Sequence, residues 1–232
     1  MIKKLVACSI LVLSLPSLAQ EARTVSARVV YFQEENENPT DLFFALAEGE
    51  YGKVSPASGV AGESARIPVD AGGQVSLLKS PGPGSPVAVA KVPADVEDVV
   101  FFLLKSPAPS TQGPSYKVLV ADESAKNMPR GSSFVCNVGG FGARISLGET
   151  RYVMAPGKPA YVKRPDKRDE YNMAAFQMEA QDGAAWKPVK DTMIRFSENE
   201  RYFFLIYAEA GGSPSVKIYK QFMPAGKNAS GS

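Results

Sequence analysis

The chain has 232 residues, with 26 Lys or Arg, 24 Asp or Glu and no histidine. Without an imidazole there is no Ser-His-Asp or Cys-His catalysis, no histidine-based zinc site and no side chain whose ordinary pKa lies near neutrality. The charged residues are scattered rather than clustered, so the sequence predicts no nucleic-acid partner.

The first nineteen residues have the three parts of a secretory signal peptide. Two lysines precede an apolar run over residues 5–15. Small side chains at Ser17 and Ala19 then suit cleavage before Gln20. A bilayer span needs about 20 apolar residues, and this run is too short. We therefore predict export and no transmembrane segment. Lipidation at Cys8 is the alternative, but the apolar core of a signal peptide should precede the cleavage site, and here it follows Cys8.

Cleavage after Ala19 changes both the charge and the cysteine count. It removes two lysines and leaves 24 basic and 24 acidic side chains, so the mature chain has no net side-chain charge. Cys136 becomes the one remaining cysteine, which excludes an internal disulfide. Period-2 alternation places Phe134, Cys136 and Val138 on one apolar face, so we interpret Cys136 as a buried, inert thiol. An intermolecular disulfide or a reactive thiol is the alternative.

Short strands separated by turn residues fill the rest of the chain. The 20 glycines and 18 prolines stand between short runs rich in Val, Ile, Phe and Tyr, a pattern typical of all-β proteins. No segment shows convincing helical periodicity. The predicted strands cover residues 25–33, 41–47, 65–69, 74–79, 87–92, 96–105 and 116–122, then 133–138, 143–147, 151–154, 160–163, 173–181, 192–196, 201–209 and 215–221.

The two sets of strands resemble each other. The run at 96–105, a Pro/Ser/Gly loop and the strand at 116–120 recur as 199–207, a second small-residue loop and 216–220. Both patterns predict a terminal hairpin that closes a sheet, and the chain is interpreted as a tandem duplication of one unit. The predicted organisation is a signal peptide over 1–19, immunoglobulin-like β-sandwich domains over 24–122 (the first unit) and 132–222 (the second unit), a linker over 123–131 and a disordered tail over 223–232. A closed barrel is the alternative for either unit.

Residues 114–160 contain a recurring turn and strand pattern, which reads PSYKVLV at 114–120, MPRGSSFVCNV at 128–138, LG at 147–148 and APGK at 155–158. This pattern resembles those of uncharacterised exported proteins of Gram-negative bacteria. The first unit, from residue 27 to 104, is also similar to immunoglobulin-like repeat domains of unknown function in bacterial surface and periplasmic proteins. The resemblance implies export and a sandwich fold. It supplies no catalytic residue and no ligand.

Five residues are candidates for ligand contact. Trp186, Tyr161 and Tyr171 would form a carbohydrate platform if their rings face solvent. Arg164 and Arg168, in the charged loop at 163–171, would recognise a carboxylate or a sugar. The alternative interpretations are a tryptophan packed over the core and an exposed loop that confers solubility.

Carboxylates are the remaining source of catalysis or metal binding. The acidic segment at 34–38 would be a calcium loop, although its Asn residues and the nearby Pro favour a solvated turn. A hydrolase that uses two carboxylates predicts a cleft between the units and a raised carboxyl pKa there. No cofactor is predicted.

The duplication, the lack of histidine and the lack of a convergent reactive set favour a non-enzymatic protein. We predict an exported binding or structural module, periplasmic or extracellular in a Gram-negative bacterium, with an envelope protein or glycan as its partner. Loops at the sandwich ends or an exposed sheet edge would bind that partner. The alternatives are a carbohydrate-binding protein and a carboxylate-based hydrolase.

Overall fold

The computed structural model describes residues 23–32, 40–47, 49–106 and 113–223. Within these ranges the chain forms sixteen β-strands and no helix, which confirms the all-β prediction. The same ranges accordingly contain no helix that is long and apolar enough to cross a membrane. The predicted signal peptide over 1–19, the acidic segment at 34–38 and the tail from residue 224 onward lie outside the described residues.

Eight strands belong to each unit. Those of the first unit are β1 (Thr24–Tyr31), β2 (Leu42–Ala47), β3 (Glu50–Val54), β4 (Ala65–Pro68), β5 (Gln74–Leu77), β6 (Ala88–Lys91), β7 (Asp98–Lys105) and β8 (Tyr116–Asp122). Those of the second unit are β9 (Ser133–Asn137), β10 (Ala143–Leu147), β11 (Thr150–Met154), β12 (Pro159–Val162), β13 (Met173–Asp182), β14 (Ala185–Arg195), β15 (Glu200–Ala208) and β16 (Pro214–Phe222).

The order of strands in the first unit recurs in the second. Strands β4-β1-β7-β8 lie side by side in the first unit, and β12-β9-β15-β16 lie side by side in the second. The first strand of each set pairs in parallel with the seventh, β1 with β7 and β9 with β15. The two closing hairpins expected from the sequence, β7–β8 and β15–β16, both form.

The units differ at the strand beside the closing hairpin. In the first unit β6 pairs in parallel with β8, which extends the sheet to six strands in the order β4-β1-β7-β8-β6-β5. In the second unit β14 stays beside β13, so two separate sheets form. We call β12-β9-β15-β16 the inner sheet and β11-β10-β13-β14 the outer sheet. Their edge strands β16 and β14 run close to each other without pairing.

Three apolar cores hold four layers together. The first core lies between the β2–β3 hairpin and one face of the six-stranded sheet. The second lies between the inner and outer sheets, where the rings of Phe176 and Phe204 stack with centroids 5.1 Å apart. The third lies between the six-stranded sheet and the inner sheet, where Phe102 approaches Phe203 with centroids 5.6 Å apart. The two units therefore share a core, and the central strands β7 and β15 are buried on both faces.

Strand β3 was not predicted and strand β14 was predicted only in part, and both misses have a physical reason. Strand β3 has polar residues and Gly52 where an apolar pattern would be expected. Gly52 pairs with Phe44, and a Cβ at Gly52 would collide with that ring, so glycine is the residue that fits. Strand β14 begins at Ala185, whereas the predicted strand began at 192. The first half was missed because β14 is an edge strand whose exposed half contains Pro188 and lysines, which do not give a strand pattern.

Candidate functional site

Trp186 lies on β14, outside the three cores and partly buried. The guanidinium carbon of Arg144 stands 4.6 Å from the centroid of the Trp186 ring. Arg144 also donates hydrogen bonds to both carboxylate oxygens of Glu179, from Nη2 at 2.8 Å and from Nε. This side of the outer sheet therefore presents an aromatic ring, a cation and an anion in contact with one another.

Arg144 and Glu179 on this face satisfy each other's charge, whereas the apolar side chains of Val153 and Met193 are not covered. Hydrogen bonds from Arg144 hold the pKa of the Glu179 carboxyl below its ordinary value, and Glu179 raises the pKa of Arg144. Val153 pairs with Arg144 across the strands and is 73% exposed, and Met193 on β14 is 50% exposed. An ionised carboxylate held by arginine is a poor proton donor.

Tyr161 lies on β12, where the two units meet. Its hydroxyl accepts a 2.8 Å hydrogen bond from the backbone N–H of Asp122, the last residue of β8. Its ring meets Phe134 with centroids 5.4 Å apart, and 37% of the residue is exposed. Burial raises the pKa of Tyr161 to about 12. The hydroxyl therefore connects the second unit to the first.

Arg164, Arg168 and Tyr171 lie in the loop between β12 and β13. Arg164 Nη2 is 2.8 Å from Glu198 Oε1, and this pairing lowers the pKa of Glu198. Arg168 donates to the carbonyl oxygen of Pro165, so both arginines bind within their own unit. Tyr171 is 67% exposed. The five predicted contact residues therefore occupy three separate places, and the structure does not bring them into one site.

Cys136 is buried in the third core, and burial raises the pKa of its thiol to about 11. The thiolate, not the thiol, is the nucleophile and the metal ligand. This agrees with the interpretation of Cys136 as an inert core residue.

The raised carboxyl pKa expected of a carboxylate pair is not found among the described residues. Every carboxyl pKa shift found in the described part of the chain is downward, for Asp41, Glu179, Asp182, Glu198 and Glu200. The described residues also contain no group of three or more acidic or cysteine side chains able to hold a metal ion. A cleft of about 750 Å³ exists, but it lies in the first unit, lined by residues including Arg23, Asp70 and Lys91. The two basic side chains there donate to backbone carbonyls of the cleft wall.

A buried ion cluster, at Arg28, Glu123 and Arg201, was not predicted from the sequence. Glu123 and Arg201 are only 4% and 5% exposed, although Glu123 is the first residue of the predicted linker. Arg28 forms an ion pair with the Glu123 carboxylate, and Arg201 Nη1 donates to the Glu123 carbonyl oxygen at 3.1 Å. Desolvation lowers the pKa of Arg201. Its signal in the sequence was Arg201 of β15, a charge at a position where alternation places an apolar side chain, whereas Arg28 of β1 lies on the less apolar face of its strand.

No known protein-family model matches this chain, and no curated protein sequence is significantly similar to it. The case for its function therefore stands on the residues and the geometry above.

Proposed function

We propose that this protein is a non-enzymatic binding or structural module exported to the bacterial envelope. The observation that carries the proposal is the solvent-facing side of the outer sheet. There Val153 is exposed opposite Arg144, whose guanidinium contacts Trp186 and pairs with Glu179, and Met193 is exposed further along β14, opposite Ala175. Exposed apolar side chains on the same face as satisfied polar groups are typical of interaction surfaces.

The finer architecture is part of the same proposal. We infer two copies of one immunoglobulin-like β-sandwich unit, and the repeated order β4-β1-β7-β8 and β12-β9-β15-β16 supports it. The signal-peptide pattern of residues 1–19 supports export. The shared third core would hold the loops and outer faces of the two units at a fixed distance, which suits a module that connects partners.

Site-specific photo-crosslinking in the producing cell tests the binding surface. A benzophenone amino acid replaces Met193 on the outer sheet, and in a matched control it replaces Leu46, which is also 50% exposed but lies in the first unit. We expect a discrete crosslinked species from position 193 and none from position 46. Identical crosslinking at both positions, or none at position 193, would contradict the proposed surface. Amino-terminal sequencing of the periplasmic protein tests export, and we expect it to begin at Gln20.

Carbohydrate binding is the second candidate, because Trp186 lies outside the cores. Trp186 is the only tryptophan in the chain, so quenching of its fluorescence across a glycan panel reports contact directly. Binding that Trp186→Phe abolishes in calorimetry, while Tyr171→Phe retains it, would support this candidate. No quenching by any glycan would remove it.

A further inference from the structure

The third core changes from apolar to polar at the end where the chain passes from the first unit to the second. Four polar side chains there, which we call the polar joint, each stand two residues along the chain from an apolar member of that core: Arg28, Glu123, Arg201 and Gln221. Because side chains two residues apart in a strand point to the same face, all four continue the third-core face of their sheets. Two belong to the first unit and two to the second.

Direct contacts hold these four side chains in one buried place. Arg28 forms an ion pair with Glu123 in the first unit, and Arg201 Nη1 reaches across from the second unit to the Glu123 carbonyl oxygen. Gln221 lies directly opposite Arg201 in the β15–β16 register. It is 3% exposed, and Glu123 and Arg201 are buried as well.

Each of the four side chains keeps one buried atom that has no hydrogen-bond partner among the described residues. Two of these atoms are donors, the Nε–H groups of Arg28 and Arg201. Two are acceptors, Glu123 Oε1 and Gln221 Oε1. Buried polar groups in folded proteins are almost always paired, because an unpaired group loses its hydration without compensation. The polar joint therefore needs a partner that can both accept and donate hydrogen bonds.

This requirement selects the chemistry of the partner. A halide accepts hydrogen bonds only, so it would satisfy the two arginines but lie against the Glu123 carboxylate. A metal cation would bind the two oxygens but lie against two guanidinium groups. Water accepts and donates, and internal water molecules usually make about three hydrogen bonds to buried polar groups.

We propose that the polar joint is a binding site for ordered water, which accepts from Arg28 Nε and Arg201 Nε and donates to Glu123 Oε1 and Gln221 Oε1. The two units are then connected through water at this end of the third core and through packed aromatic rings elsewhere in it. The inference concerns the contact between the units and does not depend on the binding surface of the outer sheet.

Oxygen-17 relaxation dispersion of water in a solution of the mature chain tests the site, because it counts internal water molecules that exchange slowly. Gln221→Met removes one acceptor and places an apolar side chain of the same length in the joint. We expect this variant to lose at least one slowly exchanging water molecule relative to the native chain.

The matched control is Gln177→Met, at an exposed position of the outer sheet where the amide donates to Asp191 Oδ2 at 3.2 Å. This variant should leave the count unchanged. Unchanged circular dichroism in both variants excludes unfolding as the cause.

A crystal structure of the native mature chain, grown or soaked in bromide, separates water from an anion. We expect water within hydrogen-bond distance of both Arg201 Nε and Glu123 Oε1, and no anomalous bromide signal between the two arginines. This experiment uses the native chain, so it decides the inference even where Gln221→Met does not fold.

Three results would overturn the inference. The first is an unchanged water count in folded Gln221→Met. The second is a bromide ion bound at the polar joint, which would make it an anion site. The third is a direct hydrogen bond from Arg201 Nε to Glu123 or Gln221 in the crystal, which would leave no place for water.

Discussion

In the first unit the β5–β6 hairpin touches β2 through a single bridge, Phe43 to Leu78, and pairs with β8. In the second unit the equivalent β13–β14 hairpin pairs along ten positions and stays beside β10 through five more. The short strands of the first hairpin form few backbone hydrogen bonds with β2. Pairing with β8 therefore adds backbone hydrogen bonds that this hairpin does not form with β2. The long hairpin satisfies its backbone within the outer sheet. The hairpin with short strands joins the closing hairpin of its unit, and the hairpin with long strands stays in the outer sheet.

The shared third core should couple the stability of the two units, and this is the largest effect we expect. Phe102→Ala removes a ring of the first unit that packs on Phe203 and Tyr219 of the second, which should cost about 3–5 kcal/mol. Trp186 fluorescence reports on the second unit during urea unfolding. We expect the unfolding midpoint that it reports to move to a lower urea concentration. Leu77→Ala lies in the first core only, so any shift of that probe by this variant reports coupling between the units. A Trp186 transition that neither substitution moves would show that the third core does not couple the units.

Glu123 should be the most sensitive charge at the joint. Glu123→Gln leaves Arg28 and Arg201 without their counter-charge, and we expect a loss of about 2–3 kcal/mol because Arg28 keeps some solvent contact. Denaturation at pH 7 measures this loss. Glu198→Gln breaks a solvent-exposed pair with Arg164 and should barely change the midpoint. A similar loss in both variants would mean that burial of the cluster contributes nothing.

Cys136 can show whether the units separate before they unfold. With its pKa raised to about 11, the thiol should react about a hundredfold more slowly at pH 8 than a free cysteine, and burial slows it further. Reaction with a disulfide reagent should begin only as Trp186 reports unfolding. Reaction at lower urea than the fluorescence change would show that the third core opens by itself, and the units would then be independent.

The smallest expected effect is at Tyr161. Tyr161→Phe removes the hydrogen bond to Asp122 and should cost about 1 kcal/mol at pH 7. Its folded pKa of about 12 lies above the ordinary value of 10.0, so its contribution is present below pH 10 and is lost as pH rises to about 12. The difference between native and variant stability should shrink across that interval in an alkaline denaturation series. A constant difference would contradict the burial of the Tyr161 hydroxyl, which raises this pKa.

Local pattern was sufficient to predict most strands. Alternation in β10 and β13 places apolar side chains on one face and polar ones on the other, and both strands appear where expected. Strand β3 was not predicted because its main contact is between Gly52 and Phe44 of the neighbouring strand. Alternation within one strand cannot indicate a contact between two strands. The candidate site was predicted less well. Trp186, Tyr161 and the loop arginines each contact a different partner, so they do not form one site.

The sequence by itself determined the fold class, because strand formation follows from short-range periodicity and from turn residues between the runs. It also contained the repeat that the strand orders reproduce. Only the tertiary structure decided what covers the second face of β7 and β15. Their continuous apolar runs require burial on both sides, but they do not specify the covering layer. Apolar burial is non-directional, so which sheet fills that place depends on connections and hairpin lengths across the whole chain.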